Sequence, residues 1–162
     1  MAFDTFLKID GIPGESTDDK HKDWMEISYF NWGVSQPASG TASSAGGATA
    51  ERANFSELSI RKTVDKASPK LAIACADGTH VKEIIIEVCR AGGDKLKYLE
   101  YKLSNCIISS VSTAGGGGAE PTENISFNYG KIQWTYTQQK RSDGSGGGNV
   151  AAGWDLQINK KA

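Results

Sequence analysis

The segment from Thr122 to Tyr136 constrains the fold more than any other part of the chain, because its apolar and polar residues alternate. The alternation is interrupted once, at Gly130, and the apolar positions are Ile125, Phe127, Tyr129, Ile132, Trp134 and Tyr136. Side chains two residues apart lie on the same face of a β-strand. The segment therefore predicts a long strand with one buried and one solvated face, which requires a β-sheet around it.

Shorter segments rich in aromatic and β-branched residues lie on both sides of this strand. They predict strands at 3–9, 24–34, 55–64, 81–88, 95–103 and 154–158, with 106–111 extending the sheet. Gly92, Gly93 and Asp94 lie between two of these segments and predict the turn of a hairpin.

One short helix is predicted between the strands. Ser68 stands before Pro69 and is interpreted as the N-cap, and Gly78 is interpreted as the stop. About seven strands and one flanking α-helix predict an all-β fold, a mainly antiparallel β-barrel or sandwich. A chain of 162 residues fits one domain, residues 1–162.

Three segments of small residues interrupt the strand pattern. Ala38 to Ala50 is almost wholly Ala, Ser, Gly and Thr, and Ala114 to Ala119 and Ser142 to Gly148 are rich in glycine. All three are interpreted as loops. A loop as long as the first is either a flexible linker or a segment committed to a partner, and its composition leaves both interpretations open.

The charged and reactive residues exclude several classes of function. Lys and Arg number 18 against 19 Asp and Glu, and the two signs are interleaved, which argues against a nucleic-acid partner. The three cysteines, Cys75, Cys89 and Cys106, have no CxxC spacing and are interpreted as buried thiols. Neither His21 nor His80 lies at ligand spacing from a cysteine or from the other histidine, so the sequence predicts no catalytic, cofactor or metal site.

Charges near the N-terminus bear on localisation. Asp4, Lys8 and Asp10 interrupt any apolar stretch of the kind found in a signal peptide. No apolar run is long enough to span a bilayer, so membrane insertion is not expected. We expect synthesis to end in the cytoplasm, and any export to use a route other than the general one.

Several motifs, in this order along the chain, are similar to those of one known family. They are Phe6-Leu7-Lys8-Ile9-Asp10-Gly11-Ile12 with Gly14-Glu15-Ser16 and His21, Trp32-Gly33-Val34-Ser35-Gln36, Asp65-Lys66-Ala67-Ser68-Pro69-Lys70-Leu71, Arg90-Ala91-Gly92-Gly93, and Ser109-Ser110-Val111-Ser112-Thr113 with Glu123 and Phe127. On these motifs the chain resembles the hemolysin-coregulated protein (Hcp) family, the tube proteins of the type VI secretion system. Departures from the family pattern are confined to loops.

The resemblance implies a β-barrel that assembles into homo-hexameric rings, which stack into a hollow tube. In this family a contractile sheath drives the tube, tipped by a VgrG-type spike, out of the cell, and small effector proteins ride in its lumen. The resemblance therefore implies a structural protein that is not an enzyme. It would be secreted from the cytoplasm through this machine, without a signal peptide.

The resemblance also implies two sets of site residues. The family uses the extended loop at Ala38 to Ala50 for contacts between subunits and rings, which assigns ring stacking to the four loop residues Ser43, Ser44, Gly46 and Gly47. Asn31 lies between two aromatic residues predicted to face the core and is predicted to point the other way. It is either a lumen residue that contacts cargo or an ordinary solvent-facing strand residue.

Two other functions fit some of the sequence. A monomeric ligand-binding β-barrel of the lipocalin kind would have a similar size and strand content, and it predicts an apolar internal cavity. A small hydrolase would need a base beside a nucleophile, and the scarcity of histidine counts against it.

Overall fold

The computed structural model describes residues 2–39, 49–50, 52–92, 95–140 and 146–162. These residues form thirteen strands and one helix, α1 (Ser68–Asp77). The strands are β1 (Phe3–Ile9), β2 (Met25–Glu26), β3 (Tyr29–Asn31), β4 (Val34–Ser35), β5 (Ala38–Ser39), β6 (Thr49–Ala50), β7 (Asn54–Phe55), β8 (Leu58–Thr63), β9 (His80–Arg90), β10 (Lys97–Gly116), β11 (Ala119–Gln139), β12 (Gly146–Asp155) and β13 (Lys160–Lys161).

Antiparallel pairing closes the sheet into a barrel. β2 pairs with β1, β1 with β9, β9 with β10, β10 with β11, β11 with β8, and β8 with β3. β2 and β3 belong to one segment, in which the N–H of Ile27 donates to Thr5 O (3.0 Å) and that of Ser28 to Arg61 O (2.8 Å). This segment joins β1 to β8 and closes the circuit, which confirms the mainly antiparallel barrel.

The predicted strand at 24–34 is divided into three short strands. β2 pairs with β1, β3 pairs with β8, and β4 pairs with β7 in a separate two-stranded sheet. Because the segment passes from one partner to the next, its ladder breaks at each change. Which strand each part of the segment pairs with depends on contacts between residues distant in sequence. The local alternation of apolar and polar residues therefore cannot predict these breaks.

The longest strands, β10 and β11, form one hairpin that includes the glycine-rich segment predicted as a loop. Pairing continues to Gly116 and Ala119, and only Gly117 and Gly118 lie between the strands. Both glycines have positive φ, at 68° and 82°, as a two-residue type I′ turn requires. The prediction that Ala114 to Ala119 interrupts the sheet was therefore wrong, because the glycines serve the turn and the strands extend up to it.

β11 changes its partner along its length. Residues 122–127 pair with β8, whereas residues 131–139 pair with β12. β12 begins at Gly146 and ends at Asp155, so the prediction of a strand at 154–158 was wrong. The glycines at 146–148 belong to the strand: Gly146 pairs with Gln139, and the next two lie at a register shift. Residues 142–145 of the predicted loop, like 93–94 of the predicted hairpin turn, lie outside the described residues.

The interior of the barrel is filled by large apolar side chains. Strands and helix contribute to one buried cluster, which includes Leu7, Met25, Leu58, Ile60, Leu71, Ile84, Ile86, Leu103, Ile108, Ile125, Phe127 and Ile132. Burial on β10 switches from odd-numbered to even-numbered positions at Asn105, whose φ is 55°, and on β11 it switches at Gly130 opposite. The interruption of the alternation at Gly130 thus marks the place where the core-facing positions change from odd-numbered to even-numbered residues.

Helix α1 packs its Leu71 and Ala74 against this core. Its N-cap is Ala67, which makes no side-chain cap bond, so the prediction of Ser68 as N-cap was wrong. Asp65 Oδ1 accepts the N–H of Ala67 (2.9 Å) instead, and the Ser68 hydroxyl is used in a buried polar cluster. Gly78 ends the helix in the left-handed conformation, as predicted. No helix in the described part of the chain has the length and hydropathy needed to cross a membrane.

Candidate functional site

An apolar strip lies at one end of the barrel and crosses several strands, and its members are exposed except for Tyr98, which is half-buried. It consists of Phe3 on β1, Tyr98 on β10, Tyr136 on β11 and Val150 on β12. The ring centroids of Phe3 and Tyr98 are 5.4 Å apart, those of Tyr98 and Tyr136 are 5.3 Å apart, and Tyr136 is the cross-strand partner of Val150. The guanidinium of Arg90 lies over the rings of Phe3 (5.6 Å) and Tyr98 (4.8 Å). We call these four apolar residues the aromatic strip.

The aromatic strip is the continuation of the core-facing side of the sheet. Ile132, Trp134 and Tyr136 are two residues apart and share one face, and they pass from fully buried through half-buried to 38% exposed. On β12, Val150 shares that face with half-buried Trp154 and is 71% exposed. The strands therefore extend beyond the core that covers them, and an apolar face of this kind marks an interaction surface.

A polar face lies on the outer side of β3, β8 and β11. The hydroxyls of Ser59 and Ser126 are 3.0 Å apart, and Arg61 Nε donates to Asn124 Oδ1 (3.1 Å). Its outward side chains, Tyr29, Asn31, Ser59, Arg61, Asn124 and Ser126, are all polar, and we call them the polar face.

Asn31 is an exposed member of the polar face. Its amide Nδ2 donates to the Tyr29 hydroxyl (3.0 Å). Phe30 and Trp32, on either side of it, pack against the core. The structure thus places Asn31 on the face opposite its aromatic neighbours.

Two short antiparallel strand pairs lie between Gly33 and Ser56, and we call these described residues the ribbon. Val34 pairs with Phe55 in β4 and β7, and Ala38 pairs with Ala50 in β5 and β6. At its base, the Ser56 N–H donates to Gly33 O (2.9 Å) and the Gly33 N–H to Ser56 Oγ (2.8 Å). Residues 40–48, which connect β5 to β6 in the sequence, lie outside the described residues, and with them the predicted stacking residues Ser43, Ser44, Gly46 and Gly47.

Two hydrogen bonds anchor the base of the ribbon to the barrel. The Tyr129 hydroxyl donates to Ser56 O (2.6 Å) and accepts the indole N–H of Trp32 (2.7 Å). Burial raises the pKa of the Tyr129 hydroxyl, so the group stays protonated and remains a donor. The hydroxyl of Tyr129, which is buried, therefore holds the base of the ribbon against the barrel.

A buried ion cluster lies where β8, β11 and α1 meet. Lys62 is 1% exposed, and its Nζ is 2.5 Å from Glu123 Oε1 and 2.8 Å from Asp65 Oδ1. The Ser68 hydroxyl donates to Glu123 Oε1 (2.7 Å) and accepts the Asp65 N–H (3.0 Å). The single ammonium group pairs with both carboxylates, and the cluster joins the helix to the barrel wall.

A second buried cluster surrounds His21. The ring Nδ1 is 2.7 Å from Asp18 Oδ2, and Nε2 is 2.5 Å from Glu87 Oε2 and 3.8 Å from Cys89 Sγ. Lys95 donates to the other Asp18 oxygen. The hydrogen bond from Lys95, and next that from His21, lowers the pKa of Asp18 from 3.8 to about 2.

The sequence missed the proximity of His21 to Cys89. The two residues are 68 positions apart, and their sequence spacing fits no ligand motif. The one sequence feature that could have indicated the cluster is His21 itself, a histidine in a polar segment between the acidic residues Asp18 and Asp23. Pairing of β1 with β9 is what brings Glu87 and Cys89 to it.

The three cysteines are free in the described part of the chain, Cys89 and Cys106 being buried and Cys75 half-buried. Burial raises the pKa of the Cys89 thiol to about 11 and that of the Cys106 thiol to about 12. The predicted buried thiols are confirmed for these two residues.

Comparisons with known proteins agree on one family. Residues 6–136 match the family model described as "Type VI secretion system effector, Hcp". The chain is 37% identical to Protein hcp1 of Pseudomonas aeruginosa over 164 positions that cover both chains completely.

Solved structures give the same result. A structure of a type six secretion system protein matches with a TM-score of 0.94 at 38% identity, covering 99% of this chain and 100% of that one. Hcp1 from Salmonella typhimurium matches with a TM-score of 0.83 at 32% identity, covering 100% of both chains.

Proposed function

The chain belongs to the Hcp family of type VI secretion proteins, and from this premise we propose that it is a structural subunit of the secretion tube. The barrel formed by residues 1–162 assembles into hexameric rings, and the rings stack into a hollow tube. The tube is propelled by a contractile sheath behind a VgrG-type spike. The protein leaves the cytoplasm through this machine, and its role is structural and not catalytic.

The observation that carries this proposal is the aromatic strip. An apolar sheet face that continues past its own core needs a partner to cover it, and in a homo-oligomer the partner is a second copy of the chain. The net charge of −1 keeps repulsion between copies small. Self-association through this end of the barrel covers the strip.

The polar face supports the proposed lumen. A water-filled channel requires side chains that remain solvated and offer hydrogen bonds, and the polar face supplies serine, asparagine and tyrosine groups. Asn31 is proposed to contact small effector proteins there. The ribbon is proposed to reach the next subunit or ring through residues 40–48, which include Ser43, Ser44, Gly46 and Gly47.

The main competing function, a monomeric ligand-binding barrel, is less well supported. The closed circuit of strands surrounds the large side chains of Leu58, Ile84, Leu103 and Phe127, each fully buried. A ligand in the barrel interior would have to displace this cluster, and filling a core in this way is what stabilises a small barrel.

The oligomeric state tests the proposed function. We expect light scattering on the purified full chain to give the mass of a hexamer, and negative-stain microscopy of the same sample to show rings. A strict monomer at high concentration, without rings, would contradict the tube assignment and favour the ligand-binding barrel.

The lumen role of Asn31 is tested separately. We expect Asn31→Gln to leave ring formation intact and to reduce the amount of a co-expressed small effector that purifies with the rings. Asn149→Gln is the matched control, an exposed asparagine on β12, and should retain the effector. Equal retention by the wild type and Asn31→Gln would remove the cargo role from Asn31.

A further inference from the structure

We propose that His21, Glu87 and Cys89 form a binding site for a divalent metal ion of the zinc class. Each residue offers one ligand atom, and the three atoms lie within 4.8 Å of one another. His21 contributes Nε2, the ring nitrogen that faces Glu87 and Cys89. Nitrogen, carboxylate oxygen and thiolate sulfur are the donors that Zn²⁺ takes in proteins, usually four in a tetrahedron. Three protein ligands leave the fourth position open.

The distances are compatible with a small movement on binding. Neighbouring donors around tetrahedral Zn²⁺ lie about 3.3–3.6 Å apart. The His21 Nε2 to Cys89 Sγ distance is 3.8 Å, close to that separation, whereas Nε2 and Glu87 Oε2 are 2.5 Å apart. The glutamate oxygen must therefore move away from Nε2 by about 1 Å. The donors, which lie within 4.8 Å of one another, must also close around the ion. Rotation about the glutamate and cysteine side-chain torsions provides these movements.

The histidine ring is already oriented as a metal ligand requires. Histidines that bind metals donate their other ring N–H to a carboxylate, which sets the tautomer, and Nδ1 of His21 lies 2.7 Å from Asp18 Oδ2. Phe6 stacks on the ring at 4.0 Å and Trp24 meets it edge-on at 4.8 Å. Packing on these sides holds Nε2 toward Glu87 and Cys89.

The charges of the pocket balance when the ion enters. Without a metal, a proton must lie between Nε2 and the glutamate oxygen, because two lone pairs would repel at 2.5 Å. Binding of one Zn²⁺ releases this proton and the thiol proton of Cys89, so two positive charges leave as two enter. The total charge of the buried site does not change, which avoids the cost of an uncompensated buried charge.

A surface cleft gives access to the site. Its walls include the three ligand residues together with Lys20, Trp24, Lys95, Leu96 and Lys97. The ammonium groups of Lys95 and Lys97 are already paired with the carboxylates of Asp18 and Glu100. Water in the cleft can complete the coordination of the ion.

Cobalt titration of the full chain tests the site, with Co²⁺ as the probe because cobalt–thiolate bonds absorb in the near ultraviolet. We expect one Co²⁺ per chain, a thiolate-to-cobalt band, and loss of the band when one equivalent of Zn²⁺ is added. Cys89→Ser should lose the band while keeping the wild-type circular dichroism. Cys75→Ser, which changes the half-buried thiol of α1, should retain it.

A second measurement uses the wild-type protein alone. Zn²⁺ should slow alkylation of Cys89 in the folded chain and leave alkylation of Cys75 unchanged, as read by mass spectrometry of the digested protein. Absence of the band in the wild type, its persistence in Cys89→Ser, or equal alkylation of Cys89 with and without Zn²⁺ would each overturn the proposal. Ring formation does not require the metal in the proposed function. Failure of the metal-site proposal would therefore leave the tube proposal standing, and the two proposals are tested independently.

Discussion

At the residue scale, the buried charges of the Lys62 cluster have a direct energetic consequence. An ammonium group without solvent contact is stable only because Glu123 and Asp65 lie within hydrogen-bond distance. Removing one partner of a buried ion pair leaves the other charged and uncompensated, which costs more than the pair itself contributed. The cluster also lies where α1 joins β8 and β11, so its loss affects several elements.

We expect Lys62→Met to lower the free energy of unfolding by about 3–5 kcal/mol, because Glu123 then remains buried without its cation. Urea unfolding followed by circular dichroism measures this change. Lys70→Met, at an exposed position on α1, is the matched control and should change stability by less than about 0.5 kcal/mol. Adding Glu123→Gln to Lys62→Met should restore part of the loss. A double variant no more stable than Lys62→Met would contradict the electrostatic explanation.

Gly14 is required by a close approach between two parts of the backbone. A Cβ at this position would lie 2.5 Å from Trp24 O and 2.6 Å from Met25 Cγ. The Gly14 N–H also donates to Asp23 O (2.7 Å), so the two segments cannot separate without losing this bond.

We therefore expect Gly14→Ala to destabilise the protein by about 1–3 kcal/mol, the usual cost of overpacking. Gly33→Ala is the control, since a Cβ there meets only Ser56 Oγ at 3.8 Å, and should be nearly neutral. Thermal unfolding of both variants measures the difference. Equal melting temperatures would show that the Gly14 segment moves to accept the methyl group.

At the element scale, the ribbon can be shortened without touching the barrel. Ser39 and Thr49 are antiparallel partners, and the residues between them lie outside the described part of the chain. Asn-Gly is the preferred two-residue connection for such a pair. The ribbon is thus a self-contained element that can be shortened between these two residues.

Replacing residues 40–48 by Asn-Gly should leave the melting temperature and the hexamer mass unchanged and abolish stacking into tubes. The reason is that the buried anchors at Ser56 and Tyr129 are retained, while the proposed contacts to the next ring are removed. Negative-stain microscopy under tube-forming conditions measures the outcome. Replacing Gly117-Gly118, the two-residue turn at the opposite end of β11, by Asn-Gly is the control and should leave tubes intact. Tubes of normal length from the shortened ribbon would contradict the stacking role.

The glycine-rich segments show why elements were harder to predict than residues. Gly115 and Gly116 continue a strand whereas Gly117 and Gly118 make a turn, and the four are identical in the sequence. Glycine has no side chain to mark a buried face, so composition cannot distinguish the two states. Pairing with Ala119 and its neighbours decides where the strand ends.

At the scale of the whole molecule, the aromatic strip determines whether the barrel is complete as a monomer. Val150 is 71% exposed beside Tyr136, on the face of the sheet that continues from the core. Burying this face between copies removes apolar surface from water, and the free energy gained grows with the area covered. Burial of this face therefore favours association between barrels, and the net charge of −1 opposes that association only weakly.

We expect Val150→Lys to lower the affinity between subunits at least about tenfold, because an ammonium group placed in an apolar contact must lose its hydration. Light scattering over a dilution series measures the shift from rings to monomers. Ile73→Lys, at an exposed isoleucine on α1 outside the strip, should leave the mass unchanged. Rings of wild-type stability from Val150→Lys would show that subunits meet elsewhere.

The sequence alone determined the all-β class, the single short helix and the family, because alternation, turn residues and ordered motifs are local properties of the chain. It also indicated that Asn31 faces away from Phe30 and Trp32, since neighbouring strand side chains point to opposite faces. Only the tertiary structure decided which distant residues meet, as in the pairs Lys62–Glu123 and His21–Cys89. Those contacts follow from strand register across the closed barrel, and register depends on the packing of all the strands together.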